Sequence, residues 1–146
     1  MSNQTQFSVD VEKWTQKVSN NIRKFAVELS QDILYGVVTK TPVITGFLRS
    51  SWNLSLDAPV VVDGEKTGNP NASLQLAVSR GALTLAKMKG GETVYITNGT
   101  EYGQHVEYGT SNFEGRAMMR KTIAEIPRLA EEAVRRIQSG EEWRPQ

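Results

Sequence analysis

The chain has 146 residues, 38 % hydrophobic and 23 % charged, with 17 Lys and Arg against 16 Asp and Glu and no cysteine. A net charge of +1 gives no long-range field to draw in nucleic acid or acidic lipid, and the lack of cysteine removes disulfides, thiolate metal sites and thiol nucleophiles together. The length predicts one domain, 1–146, burying roughly two thirds of its unfolded surface around a lean core.

Val11, Trp14, Val18, Ile22, Phe25, Leu29 and Ile33 recur at spacings of three and four, one apolar stripe on a helix from about Asp10 to Thr39. Such a helix is roughly 45 Å long, longer than a small domain is wide, so part of its stripe is expected to pack outside its own core. Pro42 stops it by forcing Thr41 out of the helical region. Thr45 then caps a short turn carrying Phe47, Leu48 and Arg49, and the alternation of Trp52, Leu54 and Leu56 predicts a strand that continues past Pro59 along a sheet edge.

The polar stretch 63–73, rich in Gly, Asp, Asn and Pro, predicts an exposed, mobile loop. Leu74, Val78, Leu85 and Met88 predict a helix that Gly90 and Gly91 end. "TVYITNG" is a strand, and a short helix is expected from Glu101 to Tyr108, stopped by Gly109. The last helix runs from Gly115 to Ser139, with Met118, Met119, Ile123, Ile126, Leu129, Ala130, Ala133, Val134 and Ile137 on its core face and Pro127 kinking it. The segment 140–146 is a tail whose Trp143 needs a partner. The expected fold is α+β: a small antiparallel or mixed sheet packed against a long N-terminal helix and a C-terminal helix.

The chemistry-bearing inventory is thin. His105 is the single histidine, which excludes a two-histidine metal site, and there is no Gly-X-Ser-X-Gly elbow to present a serine to it. "KGGETVY" is not a phosphate loop and "NGTEYG" lacks the preceding strand of a dinucleotide fingerprint. The sequence therefore predicts no catalytic residue, no cofactor and no metal, and a chain that is not an enzyme. Arg116, Arg120, Lys121, Arg128, Arg135 and Arg136 crowd the last helix, which keeps nucleic-acid binding as the alternative, but Glu114, Glu125, Glu131 and Glu132 interleave with them. No apolar run reaches the roughly 18 residues of a membrane span, and "MSNQTQFSVDVEKW" lacks the regions of a signal peptide. A soluble protein made in a cytoplasm is expected, with the four Asn-X-Ser/Thr matches at Asn3, Asn53, Asn71 and Asn98 arising by chance.

Two stretches together resemble a known family. "TPVITGFLRSSW" (Thr41 to Trp52) is similar to a TP-x-x-TG-x-LR-x-S segment, and "ITNGTEYGQHVEYGTS" (Ile96 to Ser111) to an N-x-x-x-YA-x-x-x-E-x-G-T/H-S segment, of neck or tail-completion (head-tail joining) proteins of long-tailed bacteriophages. Gly103 stands where the family often has alanine, and an x-GR-x-M-x-R start to the last helix, with Arg116, also agrees. The resemblance implies a virion structural protein, assembled in the host cytoplasm, whose subunits form a ring at the head-tail interface, as a neck, tail-completion or tail-terminator component. Its implied partners are copies of itself in a hexamer or dodecamer, the connector or stopper protein, the tail-tube protein, and DNA passing through the lumen without sequence-specific binding; no membrane is involved. The positions that match are Thr45, Gly46, Leu48, Arg49, Asn98, Tyr102, Glu107, Tyr108, Gly109 and Ser111. The residue types favour fold roles for the glycines and Leu48, and a subunit contact for Arg49 or Glu107. A ring interface needs two different patches per subunit; helix 10–39 and the sheet with segment 101–116 are the expected pair, with loop 63–73 and tail 140–146 reaching the stopper or tube.

Overall fold

The computed structural model describes residues 3–143, with side chains from Val11 onward. In chain order it contains α1 (Asn3–Lys40), α2 (Phe47–Ser50), β1 (Trp52–Leu56), α3 (Pro70–Leu85), β2 (Val94–Asn98), α4 (Gly103–Tyr108) and α5 (Met118–Ser139). The fold is α+β. Its sheet has two antiparallel strands, with Trp52 opposite Asn98 and Leu56 opposite Val94. Among the described residues no helix is long and apolar enough to cross a membrane.

The core gathers Leu34, Val37 and Val38 of α1, Trp52 and Leu54 of β1, Ala77 and Leu85 of α3, and Met118 of α5. Close approach of α3 to the sheet and α1 is set by the small residues Ser73, Ala77 and Gly81, which with Leu85 form its buried face. A Cβ on Gly81 would run into the Leu34 side chain. Trp52 Nε1 donates to Thr41 Oγ1 (2.8 Å), which itself donates to Val37 O (2.7 Å), tying β1 to the end of α1.

The expected strand past Pro59 does not form. β1 ends at Leu56 because Asp57 adopts a left-handed φ of 66°, which an extended ladder does not accommodate. The chain instead folds back over β1, where Val60 O accepts from Asn53 Nδ2 (2.9 Å) and Thr97 Oγ1 (2.9 Å). Segment 63–73 is likewise not a single loop: Gly64 N and Glu65 N donate to the hydroxyls of Ser51 and Ser50 (3.1 and 2.7 Å), and Gly68 N donates to Thr45 O (2.7 Å). Asn69 then caps α3, its Oδ1 accepting from Asn71 N and Ala72 N, with Pro70 in the first turn.

The two long helices differ from their periodicity in which face is covered. The stripe read on α1 is not the core: Val11, Trp14 and Ile22 are exposed, while Leu34, Val37 and Val38 are buried. The inner half of α1 lies between α3 and α5, so burial there is set by two partners rather than by one stripe. On α5 the buried positions are Met118, Thr122, Leu129, Ala133 and Arg136, whereas Ile123 and Val134 face solvent. At about 100° per residue the core face is thus rotated by a quarter-turn or less from the apolar one. Pro127 lies on the exposed side of a helix that runs unbroken through it.

Candidate functional site

The two motif segments form one joint. Gly46, at φ 90°, opens α2 and accepts Ser50 N (3.0 Å) and Ser50 Oγ (2.7 Å) at its carbonyl. A side chain there would collide with the hydroxyls of Ser73 and Thr67. Thr45 Oγ1 accepts from Phe47 N (3.2 Å). Leu48 is buried, and its carbonyl accepts from Asn98 Nδ2 (2.9 Å) at the end of β2, while Asn98 Oδ1 accepts from Thr100 N (3.1 Å).

Arg49 and Glu107, expected at a subunit contact, are committed within the chain. The Arg49 guanidinium donates to Thr41 O (3.0 Å from Nε, 2.8 Å from Nη2) and to Thr39 O (3.2 Å), placing its charge on the carbonyl end of α1. Burial draws the Arg49 pKa down from its usual value, with the nearby Tyr35 opposing. Glu107 is buried and caps α5, whose own N-cap residue, Ala117, has no side-chain acceptor to offer. Its Oε2 accepts from Met119 N (3.0 Å) and its Oε1 from Arg120 N (3.0 Å) and Arg120 Nε (3.2 Å). Burial alone would raise the Glu107 carboxyl, but the amides of Arg120 and Met119 and the Arg120 guanidinium outweigh it and hold it below its ordinary range.

The remaining motif positions build the turn between α4 and α5. Gly109, at φ 86°, pairs with Glu114 in an isolated bridge, and a side chain on it would meet Gly115 N at 2.5 Å and Phe113 O at 2.9 Å. Arg116 N donates to Val106 O (2.7 Å). On α4 and its flanks Val106 packs on the core, whereas Tyr102 and Tyr108 are exposed, and the Arg120 guanidinium stacks 4.5 Å above the Tyr108 ring. Ser111 is exposed. Within segment 102–116 Glu107 is the pin, its carboxylate tying α4 to the start of α5.

Sequence reasoning missed the lock between α1 and α5. Arg136 Nη2 donates to Asp32 Oδ2 (2.8 Å) and its Nε to Glu28 Oε2 (3.4 Å), with all three side chains buried. Desolvation opposes the Arg136 charge, but Asp32 and then Glu28 more than offset it and raise its pKa. Trp143 completes the cluster: its Nε1 donates to Asp32 Oδ1 (2.7 Å) and its ring meets Tyr35 edge-on at 6.4 Å. The partner expected for Trp143 is thus found within the chain, on α1; residues 144–146 lie outside the described part. The one available signal was the i,i+4 pair Glu28 and Asp32 facing an arginine on another amphipathic helix.

Arg120, Arg128, Arg135 and Arg136 each pair with a carboxylate, so most of the cationic crowd on α5 is neutralised locally. Among the described residues no group of three or more His, Asp or Glu side chains could hold a metal ion. His105 is exposed on α4, at the wall of a surface hollow.

Two apolar surfaces stand out among the described residues. One is the ridge on the outer half of α1, with Trp14 67 % and Ile22 61 % exposed. Below Ile22 and Phe25 it continues into a shallow groove of about 330 Å³ shared with Val134 and Ile137 of α5. The other is an open hollow of about 530 Å³ between the motif segments, walled by Pro42, Ile44, Leu48, Tyr102, Val106 and Phe113. Ile44 is 93 % exposed. Compared with known proteins, the chain matches no family model, no curated protein and no solved structure.

Proposed function

We propose that the chain is a structural subunit of a ring at the head-tail junction of a long-tailed bacteriophage, joining the connector stack to the tail tube as a neck, tail-completion or tail-terminator protein. The observation that carries this reading is the ridge on α1. A helix of 38 residues is about 57 Å long, and its outer half exposes Val11, Trp14 and Ile22, with Val18 and Ile22 only flanked by Val134 and Ile137 of α5 among the described residues. Large apolar side chains in a continuous exposed row mark a surface that another molecule buries. The resemblance of the two motif segments supplies the kind of assembly, and their joint accounts for the matching residues as the frame that holds the hollow open. The ion pairs along α5 weigh against the nucleic-acid alternative, because a paired arginine releases few counterions from a phosphate.

The test is the mass of the purified chain alone and after mixing with the cognate tail-tube protein. A hexameric or dodecameric mass, alone or on mixing, is the expected result. A chain that remains monomeric in both and is retained on DNA with a steep salt dependence would replace the ring by the nucleic-acid reading.

A further inference from the structure

The two edges of the sheet differ. With Trp52 opposite Asn98 and Leu56 opposite Val94, the bond from Asp57 N to Thr93 O (2.7 Å) sets the alternation of the ladder. The amides and carbonyls of Tyr95 and Thr97 face β1, and those of Val94, Ile96 and Asn98 point away from it. On β1 the outward edge is covered: Gly81 brings α3 against Leu54, and Arg80 of α3 donates to Trp52 O (2.9 Å) and Ser50 O (2.7 Å). On β2 it is open. Among the described residues the backbone groups of Val94, Ile96 and Asn98 have no hydrogen-bond partner, and the strand is half-buried throughout.

Natural edge strands are shielded by a charged side chain, a proline or a bulge. The β2 sequence, VYITN, contains no charge and no proline, keeps an unbroken register, and is built of strand-favouring Val, Tyr, Ile and Thr. Donors and acceptors that recur every second residue, about 7 Å apart, are the complement of an extended backbone; a helix has no free groups at that spacing. Side chains of an added strand opposite Ile96 and Asn98 fall on the core face of the sheet. There, at the Asn98 end, a cleft of about 600 Å³ is lined by Trp52, Ile96, Tyr108, Met118 and Met119 and calls for apolar groups. A second folded copy supplies them poorly. In β2 of any copy Val94 and Ile96 are already packed on that copy's own core, and Tyr95 and Thr97 lie on the opposite face.

We propose that the β2 edge accepts an extended segment of a partner polypeptide as the third strand of the sheet. The segment is about as long as β2, has no proline at positions that must donate to it, and carries apolar side chains at alternate positions that enter the cleft. The backbone ladder provides the attachment and the cleft provides the choice of sequence. The contact does not depend on the ring proposed above, and the cleft shares no lining residue with the hollow between the motif segments.

The probe is a synthetic peptide, TVYITNG with a lysine added at each end for solubility, whose Val and Ile are free to enter the cleft. It should bind the wild-type chain with a Kd below about 1 mM. At saturation it should slow amide hydrogen exchange at Val94, Ile96 and Asn98 by about tenfold or more, while Tyr95 and Thr97, already bonded to β1, change far less. The same peptide with Ser in place of Val and Ile should bind at least about tenfold more weakly. In the protein, Val94→Pro removes an outward donor at the first residue of the strand without touching the ladder to β1, and should weaken the peptide by about tenfold. Should thermal melts show that this variant does not fold, Met119→Gln in the cleft wall serves instead, with the same loss expected. No binding at about 1 mM, binding without protection at the three outward amides, or equal affinity for the Ser peptide would each overturn the proposal. Outward amides already protected in a peptide-free chain that sediments as a dimer would mean that a second copy holds the edge, and would overturn the choice of partner. None of these results alters the mass of the assembly, so the ring stands or falls separately.

Discussion

Arg136→Ala is expected to lower the unfolding free energy by about 3–5 kcal/mol, enough to unfold much of a marginal domain. The guanidinium is buried against Asp32 and Glu28, and its removal leaves two carboxylates with no other cation in contact among the described residues. The penalty is that of the stranded charges, not the net worth of the pair, in which Arg136 Nη1 has no hydrogen-bond partner among the described residues. Adding Glu28→Gln and Asp32→Asn to Arg136→Met should therefore recover most of the loss in urea unfolding. If Arg136→Ala costs less than about 1 kcal/mol, water reaches the cluster and α1 and α5 are held by apolar contacts alone.

Glu107→Ala should cost about 2–3 kcal/mol, since it removes both the acceptor for the first amides of α5 and the partner of Arg120. The pH dependence has a definite sign. A carboxyl held below its ordinary value of 4.5 is charged in the fold where the unfolded chain would already be taking up a proton. Its contribution is present above that value and is lost as pH falls through the lower, folded one. The stability gap between wild type and Glu107→Gln is thus widest near neutral pH and narrows below about pH 4.5. A gap constant down to pH 3 would mean that Glu107 acts by shape and not by charge.

What could be read from the sequence follows the range of the interactions. Both strands are written in local alternation, and the ends of the helices at Lys40, Tyr108 and Ser139 in Pro42, Gly109 and Gly140, so these were legible; the end of β1 at Leu56, set by the left-handed Asp57, was not. The α+β class followed from them. The partner of Arg136 lies 104 and 108 residues away, and the Glu107 carboxylate reaches 12 and 13 residues to cap a helix; neither distance leaves a periodic trace. The stripe on α1 was visible, but not that its inner half is enclosed on two sides while its outer half projects. Periodicity reports that a face is apolar and is silent on whether the same chain or another covers it. For the same reason Arg49, a charged residue in a motif, resembles a contact in sequence and is a helix-end clamp in the fold.

The central claim is that the outer half of α1 is an intermolecular surface. Sedimentation of the wild-type chain beside Trp14→Ser with Ile22→Ser, each with and without the tail-tube protein and with thermal melts in parallel, tests it most directly. Assembly that disappears in the double variant while its melting temperature stays within about 2 °C of wild type is the predicted result, because both side chains are exposed in the isolated fold. Unchanged assembly in the variant, or a wild-type chain that stays monomeric under every condition, would contradict it.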